Sequence, residues 1–324
     1  MELLQHYGNL LEGAIDEAIP NKQPSNLYQP LHYILSLGGK RLRPVLTLFA
    51  ADIFGQASKE AVPAALAVEL FHNFSLIHDD IMDDAPLRRG KQTVHEKWDV
   101  NTGILSGDAL LILAYQLFEN YDPELFRKLA GLFSKTAMEV CEGQQFDMDF
   151  ETRNDVSIDQ YLTMIRFKTA VLVGAALKMG AMIGGADEAD QQRIYDFGVS
   201  LGVAFQLQDD YLDAFGNPET FGKQVGGDIL ANKKTYLYLK ALELSGDEAA
   251  QELQGLFNGS GASDHEKISR VKALFEQAGA TTAIKNAIAQ YTSDAYGQLE
   301  GMEIEPNRRE QLRMFGDWLM NRNV

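Results

Sequence analysis

The sequence contains one acidic pattern, D-D-x-x-D, twice, and each copy directly follows a strongly apolar segment. The copies lie in LIHDDIMD at 76–83 and in QLQDDYLD at 206–213. Apolar residues at three- and four-residue spacing around both copies predict helices. No series of short alternating runs indicates a sheet. The sequence therefore predicts an all-α fold, which we interpret as one helical domain over residues 1–324.

The repeated pattern is unfavourable unless something neutralises its charge. On a helix, side chains four positions apart share a face, so Asp79 is expected beside Asp83 and Asp209 beside Asp213. Like charges at this spacing destabilise an isolated helix by roughly 0.2–0.5 kcal/mol per pair, and partial burial raises that cost. A divalent cation would remove the repulsion. The alternative, two acidic helix ends in solvent, explains a single copy better than two.

The ligand types indicate which cation to expect. Carboxylates, with no Cys or His pair at zinc spacing, favour a hard ion, and neither segment has the glycine and spaced ligands of a calcium loop. Mg²⁺ typically binds one or two protein carboxylates and completes its shell with water and substrate phosphates. We therefore expect Mg²⁺ and a phosphorylated substrate. The six candidate metal ligands are Asp79, Asp80, Asp83, Asp209, Asp210 and Asp213.

The distribution of charge also favours a small anionic ligand. The chain has 29 basic and 46 acidic residues and a net charge of −17. Such a surface disfavours binding to nucleic acid and to anionic lipid. Basic residues nevertheless cluster at 40–43, at 88–91 and at 223–234. These clusters indicate local anion pockets, although solvated surface Lys and Arg side chains produce the same pattern.

The N-terminal segment and the cysteine content predict a cytoplasmic protein without stable membrane insertion. MELLQHYGNLLEGAIDEAIP lacks the basic start and small-residue cleavage site of a secretory signal. No uninterrupted apolar run reaches the roughly 18 residues that a spanning helix needs. Cys141 is the single cysteine, which excludes an internal disulfide and a cysteine-rich metal site. We expect its side chain to pack in the core.

Five short blocks occur in an order that is specific to one family. They are GGKRLRP at 38–44, DDIMDDAPLRRG at 79–90, FKT at 167–169, FQLQDDYLD at 205–213 and GK…GGDI…NKKT at 222–235. Together they resemble the trans-isoprenyl diphosphate synthase, or polyprenyl synthetase, family. The resemblance implies an antiparallel helical bundle around a deep central cavity, of the isoprenoid synthase type, usually as a homodimer. It also implies a prenyltransferase that joins an allylic diphosphate (dimethylallyl, geranyl or farnesyl) to isopentenyl diphosphate.

The resemblance implies a role for each residue of these blocks. Two Mg²⁺ ions would be held by Asp79 and Asp83 and a third by Asp209, with the other three aspartates in support. The residues that resemble the family's cationic contacts to the allylic diphosphate are Arg88, Lys168, Lys223 and Lys233. The residues that resemble the family's pocket for isopentenyl diphosphate are Lys40, Arg43, His72 and Arg89. Lys168 belongs to the expected catalytic group with Thr169 and Gln206, whose dipoles would lie near the developing carbocation. Arg322 resembles a basic tail that closes over the site in some members.

Some of these residues have simpler explanations. His72 lies on an apolar helix, where a hydrogen-bonded core histidine is common. The alternative for Thr169 and Gln206 is that they are only buried, hydrogen-bonded groups. Two rival functions also remain. A class I terpene cyclase uses D-D-x-x-D but normally has a different second metal motif and needs no GGKRLRP block. A non-catalytic subunit of a heteromeric synthase typically loses metal-binding aspartates, whereas both clusters are complete here.

Phe74 is the candidate residue for setting product length. It precedes Asp79 by five positions, which places it roughly 7.5 Å deeper along a helix. In the family, an aromatic residue here marks short-chain enzymes. Ser75 follows it, and the acidic motif lacks the two-residue insertion of many bacterial members. This pattern most resembles archaeal-type synthases and favours a geranylgeranyl product, with farnesyl second. The alternative is that Phe74 is only a core residue.

Overall fold

The computed structural model describes residues 2–217, 225–259 and 263–321, and these residues are almost entirely helical. Within them the only strands are β1 (Leu87–Arg88) and β2 (Lys91–Gln92), which form an antiparallel hairpin. A short 3-10 helix at Phe118–Asn120 and a π-helical turn at Arg166–Ala170 interrupt the series. In the described part of the chain the α-helices are α1 (Glu2–Ala18), α2 (Ser25–Ser36), α3 (Leu42–Gly55), α4 (Val62–Met82), α5 (Val94–Lys97), α6 (Val100–Leu117), α7 (Pro123–Thr152), α8 (Ile158–Ile165), α9 (Val171–Ile183), α10 (Glu188–Phe215), α11 (Gly227–Leu230), α12 (Tyr236–Leu244), α13 (Asp247–Phe257), α14 (Asp264–Ala278), α15 (Ala280–Glu300) and α16 (Pro306–Met320). The all-α prediction is confirmed.

The chain divides into two compact units. The first unit consists of residues 1–137 and 172–195, and the second of residues 138–171 and 196–324. The first aspartate cluster lies in the first unit and the second cluster in the second unit. A single domain over residues 1–324 stays a prediction.

Helix α4 is the central helix of the first unit. It packs against α3 and along α6, and its side chains are buried almost continuously from Ala64 to Phe74. A helix that is apolar on all sides is stable only when neighbours cover it. The first aspartate cluster follows this continuously buried part of the helix, and Asp80 within the cluster is buried as well.

Helix α10 has the corresponding place in the second unit. Phe197, Leu201, Ala204 and Leu207 recur at three- and four-residue spacing and are all buried. The second aspartate cluster follows them at the C-terminal end of the same helix. Both acidic patterns thus lie at the ends of well-packed helices, where the backbone positions their carboxylates.

The sequence predicts helix starts near Ser58, Asp122 and Ser157, each a capping residue followed by Glu or Gln within three positions, and the outcomes are mixed. Ser157 forms a capping box with Gln160 at the start of α8, and the Asp122 carboxylate accepts two backbone N–H groups at the start of α7. The start predicted near Ser58 is wrong, because α4 begins at Val62. The Ser58 backbone N–H donates to the Asp52 carboxylate at 2.8 Å, so Ser58 belongs to the turn that follows α3.

The structure differs from two further expectations, one on membrane-spanning segments and one on Cys141. Val100–Asn120 is the one described helical segment that is long and apolar enough to cross a membrane, and 28% of its most apolar window is buried. It contains Asp108, and a single helix of this kind is weak evidence for membrane insertion. The core position expected for Cys141 is wrong, because its side chain is exposed on α7.

Candidate active site

The first aspartate cluster contains two kinds of carboxylate. Asp80 is 1% exposed and accepts a bidentate ion pair from the Arg88 guanidinium, with the closest N–O distance at 2.6 Å. Asp79 and Asp83 are a turn apart, since the Asp83 N–H donates to the Asp79 carbonyl at 2.9 Å. Asp83 is exposed and ends α4. Asp79 and Asp83 therefore lie on successive turns of the helix end, and Asp80 holds Arg88 in place.

Several of the predicted isopentenyl diphosphate residues lie together in the first unit. Gly39 has φ +130°, and a Cβ placed on it would lie 2.7–2.8 Å from the Arg89 guanidinium. Only glycine accommodates both this backbone conformation and this approach. An Arg43 guanidinium nitrogen lies 3.3 Å from His72 Nε2. The structure thus brings Arg89 beside the GGK turn and Arg43 beside His72, while Lys40 is exposed next to Gly39.

A buried carboxylate, Glu69, adds negative charge to this basic pocket. Its side chain accepts a hydrogen bond from Asn73 Nδ2 at 3.1 Å, and the residue is 5% exposed. Burial raises the pKa of Glu69, whereas Asn73 and the charges of Arg41, Arg43 and Arg89 lower it. In the opposite sense, burial lowers the pKa of Arg43 and the charge of Glu69 raises it. Glu69 therefore offsets part of the positive charge that the pocket concentrates.

His72 is held in its neutral form. Burial, followed by the charges of Arg43, Arg89 and Arg88, lowers its pKa well below the ordinary value. At neutral pH the ring is therefore a hydrogen-bonding group and not a cation. This fits a position beside arginines, where a further positive charge would be repelled.

The neutral state of His72 predicts how stability changes with pH. The unfolded chain takes up a proton on His72 below about pH 6.5, and the native chain does so only at lower pH. The contribution of neutral His72 to the free energy of unfolding is thus present above about pH 6.5. It is lost as the pH falls below that value, by at most about 1.4 kcal/mol per pH unit. We expect urea denaturation to show that the free energy of unfolding falls less between pH 7 and pH 5 for His72→Gln than for the wild type. The exposed-histidine control, His265→Gln, should keep the wild-type slope, and equal slopes for His72→Gln and the wild type would contradict the assignment.

Phe74 is part of an aromatic cluster within the first unit. It is buried and contacts the Phe71 ring at 5.4 Å and the His78 ring at 4.8 Å between centroids. Phe71 in turn packs edge-on against Phe133. Ser75 points its hydroxyl to the His72 carbonyl, 2.9 Å away. The Phe74 ring is therefore fixed by neighbours on its own helix, one turn below the aspartates.

The second aspartate cluster shows a similar division. Asp210 is buried and accepts a hydrogen bond from the Tyr161 hydroxyl at 2.5 Å. Burial raises the pKa of Asp210 well above its ordinary value, although the Tyr161 bond lowers it. The Asp213 carboxylate accepts the Asp228 N–H at 3.0 Å, and its carbonyl accepts the Gly226 N–H at 2.6 Å. Asp210 and Asp213 thus hold neighbouring segments, and Asp209 lies beside them on α10.

Lys168 lies in the π-helical turn between α8 and α9. Its ammonium group forms an ion pair with Asp147 at 2.5 Å. The helix widens where Gly143 of α7 approaches, and a Cβ on Gly143 would lie 2.2 Å from the Lys168 backbone nitrogen. Single π-turns of this kind are frequent at functional sites. Thr169, in the same turn, and Gln206, on α10, are both half-buried.

The last basic stretch is described only in part. Lys234 donates to the carbonyls of Phe150, Glu151 and Arg153 at and after the end of α7. These bonds supply donors to carbonyl groups that have no partner within the helix at its C-terminus. Lys233 is exposed, and its backbone N–H donates to the Asp228 carbonyl at 2.9 Å. Lys223 and Arg322 lie outside the described residues.

Comparison with known families agrees with the arrangement of these blocks. A family model described as polyprenyl synthetase matches residues 24–277. The chain belongs to the polyprenyl synthetase family. The match includes every aspartate of both clusters and all of the candidate basic residues except Arg322.

Relatives of this polyprenyl synthetase align over nearly its full length. A short chain isoprenyl diphosphate synthase of Methanothermobacter thermautotrophicus is 36% identical and covers 99% of this chain and 98% of its own length. The geranylgeranyl pyrophosphate synthase of Geoglobus acetivorans is also 36% identical and covers 99% of both chains. A crystal structure of a geranylgeranyl pyrophosphate synthase is 55% identical, with a TM-score of 0.94 and 99% coverage of both chains. The predicted isoprenoid synthase type of fold is therefore confirmed.

Three residues of this polyprenyl synthetase that support the site were not found from its sequence. Glu69 could have been suspected, because it is a lone acid in an otherwise apolar helix segment. Asp147 and Tyr161 gave no local signal, since their partners Lys168 and Asp210 are 21 and 49 positions away. Only the tertiary structure identifies such distant pairs.

Proposed function

We propose that this polyprenyl synthetase transfers an allylic prenyl group to isopentenyl diphosphate and releases diphosphate. The observation that carries the proposal is the basic pocket of Gly39, Arg43, His72 and Arg89, in the same unit as the first aspartate cluster. An enzyme that only ionises one diphosphate has no use for a second anion pocket. A condensing enzyme needs one site for the leaving diphosphate and another for isopentenyl diphosphate.

The carboxylates suit a hard divalent cation. Asp79 and Asp83 offer oxygen donors on successive turns, while the buried Asp80 is already held by Arg88. We assign Asp79 and Asp83 to two Mg²⁺ ions and Asp209 to a third, with Asp80, Asp210 and Asp213 in support. Bound Mg²⁺ would neutralise charge on the departing diphosphate.

The protein groups then complete the proposed reaction. Arg88, Lys168 and Lys233, with Lys223 outside the described residues, stabilise the negative charge that develops on the allylic oxygen as the C–O bond breaks. Thr169 and Gln206 direct their dipoles towards the allylic cation. Lys40, Arg43, His72 and Arg89 hold isopentenyl diphosphate while its double bond attacks that cation and forms the new C–C bond. The departing diphosphate takes the proton that is then lost.

A product assay tests the proposal against its rivals. Purified protein is incubated with Mg²⁺, isopentenyl diphosphate and one allylic primer at a time, and chain length is measured. We expect all-trans short-chain diphosphates, with geranylgeranyl favoured and farnesyl second. Release of a hydrocarbon from geranylgeranyl diphosphate alone would indicate a cyclase. Inactivity of the isolated chain with every primer would indicate a non-catalytic subunit.

Replacing Phe74 should change product length. We propose that its ring is the floor against which the growing chain stops, so Phe74→Ala should lengthen the main product by about one five-carbon unit or more. The control is Phe118→Ala, which removes a fully buried ring further along the same cluster. Each substitution should cost about 3–5 kcal/mol of stability, but only Phe74→Ala should change the chromatogram of products. An unchanged product distribution would contradict the floor assignment.

The apolar surface of α6 supports a proposal on assembly. Ile104, Leu105 and Ile112 are exposed on this helix, and contiguous exposed apolar surface commonly marks an interface. We propose that a second copy of the chain covers it in a homodimer. Sedimentation equilibrium of the purified protein would distinguish a dimer from a monomer.

We also propose a cytoplasmic location. The single cysteine agrees with it, because thiols stay reduced in the cytoplasm.

A further inference from the structure

The base of the β1–β2 hairpin contains a cluster of potential ligands that the proposed chemistry does not use. Asp84, His95 and Glu96 each offer one donor atom, and these three atoms lie within 4.8 Å of one another. None of them belongs to the six aspartates assigned above. Donors this close lie at most roughly 2.8 Å from a common centre, so small side-chain rotations would bring them to the 2.0–2.2 Å of a metal bond.

His95 supplies a second observation that points to a ligand. The residue is 8% exposed, and both ring nitrogens are buried without a hydrogen-bond partner among the described residues. Its Nε2 lies 3.9 Å from the Glu96 carboxylate, beyond hydrogen-bonding distance. A buried imidazole normally has a partner for its polar atoms. A cation between His95 and the two carboxylates would supply one.

The backbone preorganises this cluster. The Thr93 N–H donates to the Pro86 carbonyl at 3.2 Å, and the Thr93 hydroxyl donates to the Ala85 carbonyl at 2.8 Å. These bonds close the base of the hairpin. They hold Asp84, which precedes β1, near His95, which follows β2. Asp84 has φ +49°, a left-handed conformation that aspartate tolerates better than most residues. The three donors are therefore held by fixed backbone and not by a flexible loop.

The neighbouring basic side chains are engaged elsewhere. Lys97 lies 3.7 Å from the centre of the Tyr33 ring and 4.9 Å from that of Trp98. Arg88 is paired with Asp80. These cations therefore already have partners other than Glu96 and Asp84, and the net charge of −17 favours a positive ligand.

We propose that Asp84, His95 and Glu96 bind a divalent transition-metal ion such as Zn²⁺ or Co²⁺. One imidazole nitrogen with two carboxylate oxygens suits these ions better than Mg²⁺, which prefers oxygen donors. The ion would tie together the two ends of the segment that presents Arg88 and Arg89. Binding does not depend on the proposed prenyl transfer, which is assayed in Mg²⁺ alone.

Cobalt absorption tests the site on the full chain. Chelator-treated protein is given excess Mg²⁺ to fill the oxygen-only sites and is then titrated with Co²⁺. We expect about one equivalent of Co²⁺ per chain to give the strong visible absorption of a nitrogen-containing, low-coordinate site, and Zn²⁺ to abolish it. Asp79→Asn and the exposed-histidine control His265→Gln should keep the signal.

The ligand variants decide the outcome. His95→Gln should lose the absorption, and Asp84→Asn and Glu96→Gln should weaken Co²⁺ binding. If His95→Gln does not fold, as judged by circular dichroism, Glu96→Gln decides, because its side chain is 46% exposed and tolerates replacement. An unchanged spectrum in the folded ligand variants, or no Co²⁺ spectrum in the presence of Mg²⁺, would overturn the proposal.

Discussion

Asp79→Asn is expected to lower kcat by about 10²- to 10³-fold, the effect of removing one preorganised group that stabilises transition-state charge. The asparagine keeps the size of the side chain but removes the charge that we assign to cation binding. The Mg²⁺ concentration for half-maximal rate should rise at the same time, because fewer anionic oxygens remain on this turn of α4. Steady-state assays over a Mg²⁺ series would measure both effects.

The control for this substitution is Asp294→Asn on the exposed face of α15, where the carboxylate accepts a hydrogen bond from Gln290. It changes the net charge equally and should leave kcat and the Mg²⁺ dependence as in the wild type. Asp209→Asn should resemble Asp79→Asn if both clusters hold metal. Full turnover in both metal-ligand variants would remove the basis of the proposed function.

Arg88→Ala is expected to destabilise the fold by about 3–5 kcal/mol. The Asp80 side chain is 2% exposed, so loss of its bidentate partner leaves a buried charge without compensation. Urea denaturation at neutral pH would measure the change in the free energy of unfolding. The effect is independent of activity, although we also assign Arg88 to the diphosphate site.

The double variant Asp80→Asn/Arg88→Ala tests the cause of that loss. Removal of the buried charge should restore most of the lost stability, because the penalty arises from the unpaired carboxylate. Arg153→Ala, which breaks the exposed ion pair with Asp155, should leave the denaturation midpoint unchanged. If the double variant were no more stable than Arg88→Ala alone, the pair would not be the source of the effect.

Local patterns were sufficient to predict an all-α fold and to place both aspartate clusters on helices. The spacing of apolar residues along α4 and α10 reflects burial that the structure contains. The start of α4 was placed too early because Ser58 resembles a cap in sequence. Its N–H instead bonds to Asp52 in the preceding helix, and nothing in the residues after Ser58 indicates that contact.

The D-D-x-x-D spacing did not show which aspartate of each cluster is buried and paired. Asp79 and Asp80 are equivalent in the motif, but their side chains leave the helix at different angles, and only Asp80 meets Arg88 from the hairpin. Tyr161 holds Asp210 in the same way across 49 positions. Which carboxylate is buried and paired depends on segments that arrive from elsewhere in the chain, so the D-D-x-x-D pattern alone does not contain this information.

The close contact at Gly39 gives a criterion for sorting related sequences. Any other amino acid there would need a rare backbone conformation and would displace the Arg89 guanidinium. A relative that keeps both acidic motifs but replaces this glycine is therefore expected to have lost the proposed acceptor-substrate pocket while its proposed metal ligands remain. Such substitutions would mark candidate regulatory paralogues in genomes where the acidic motifs alone suggest an active enzyme.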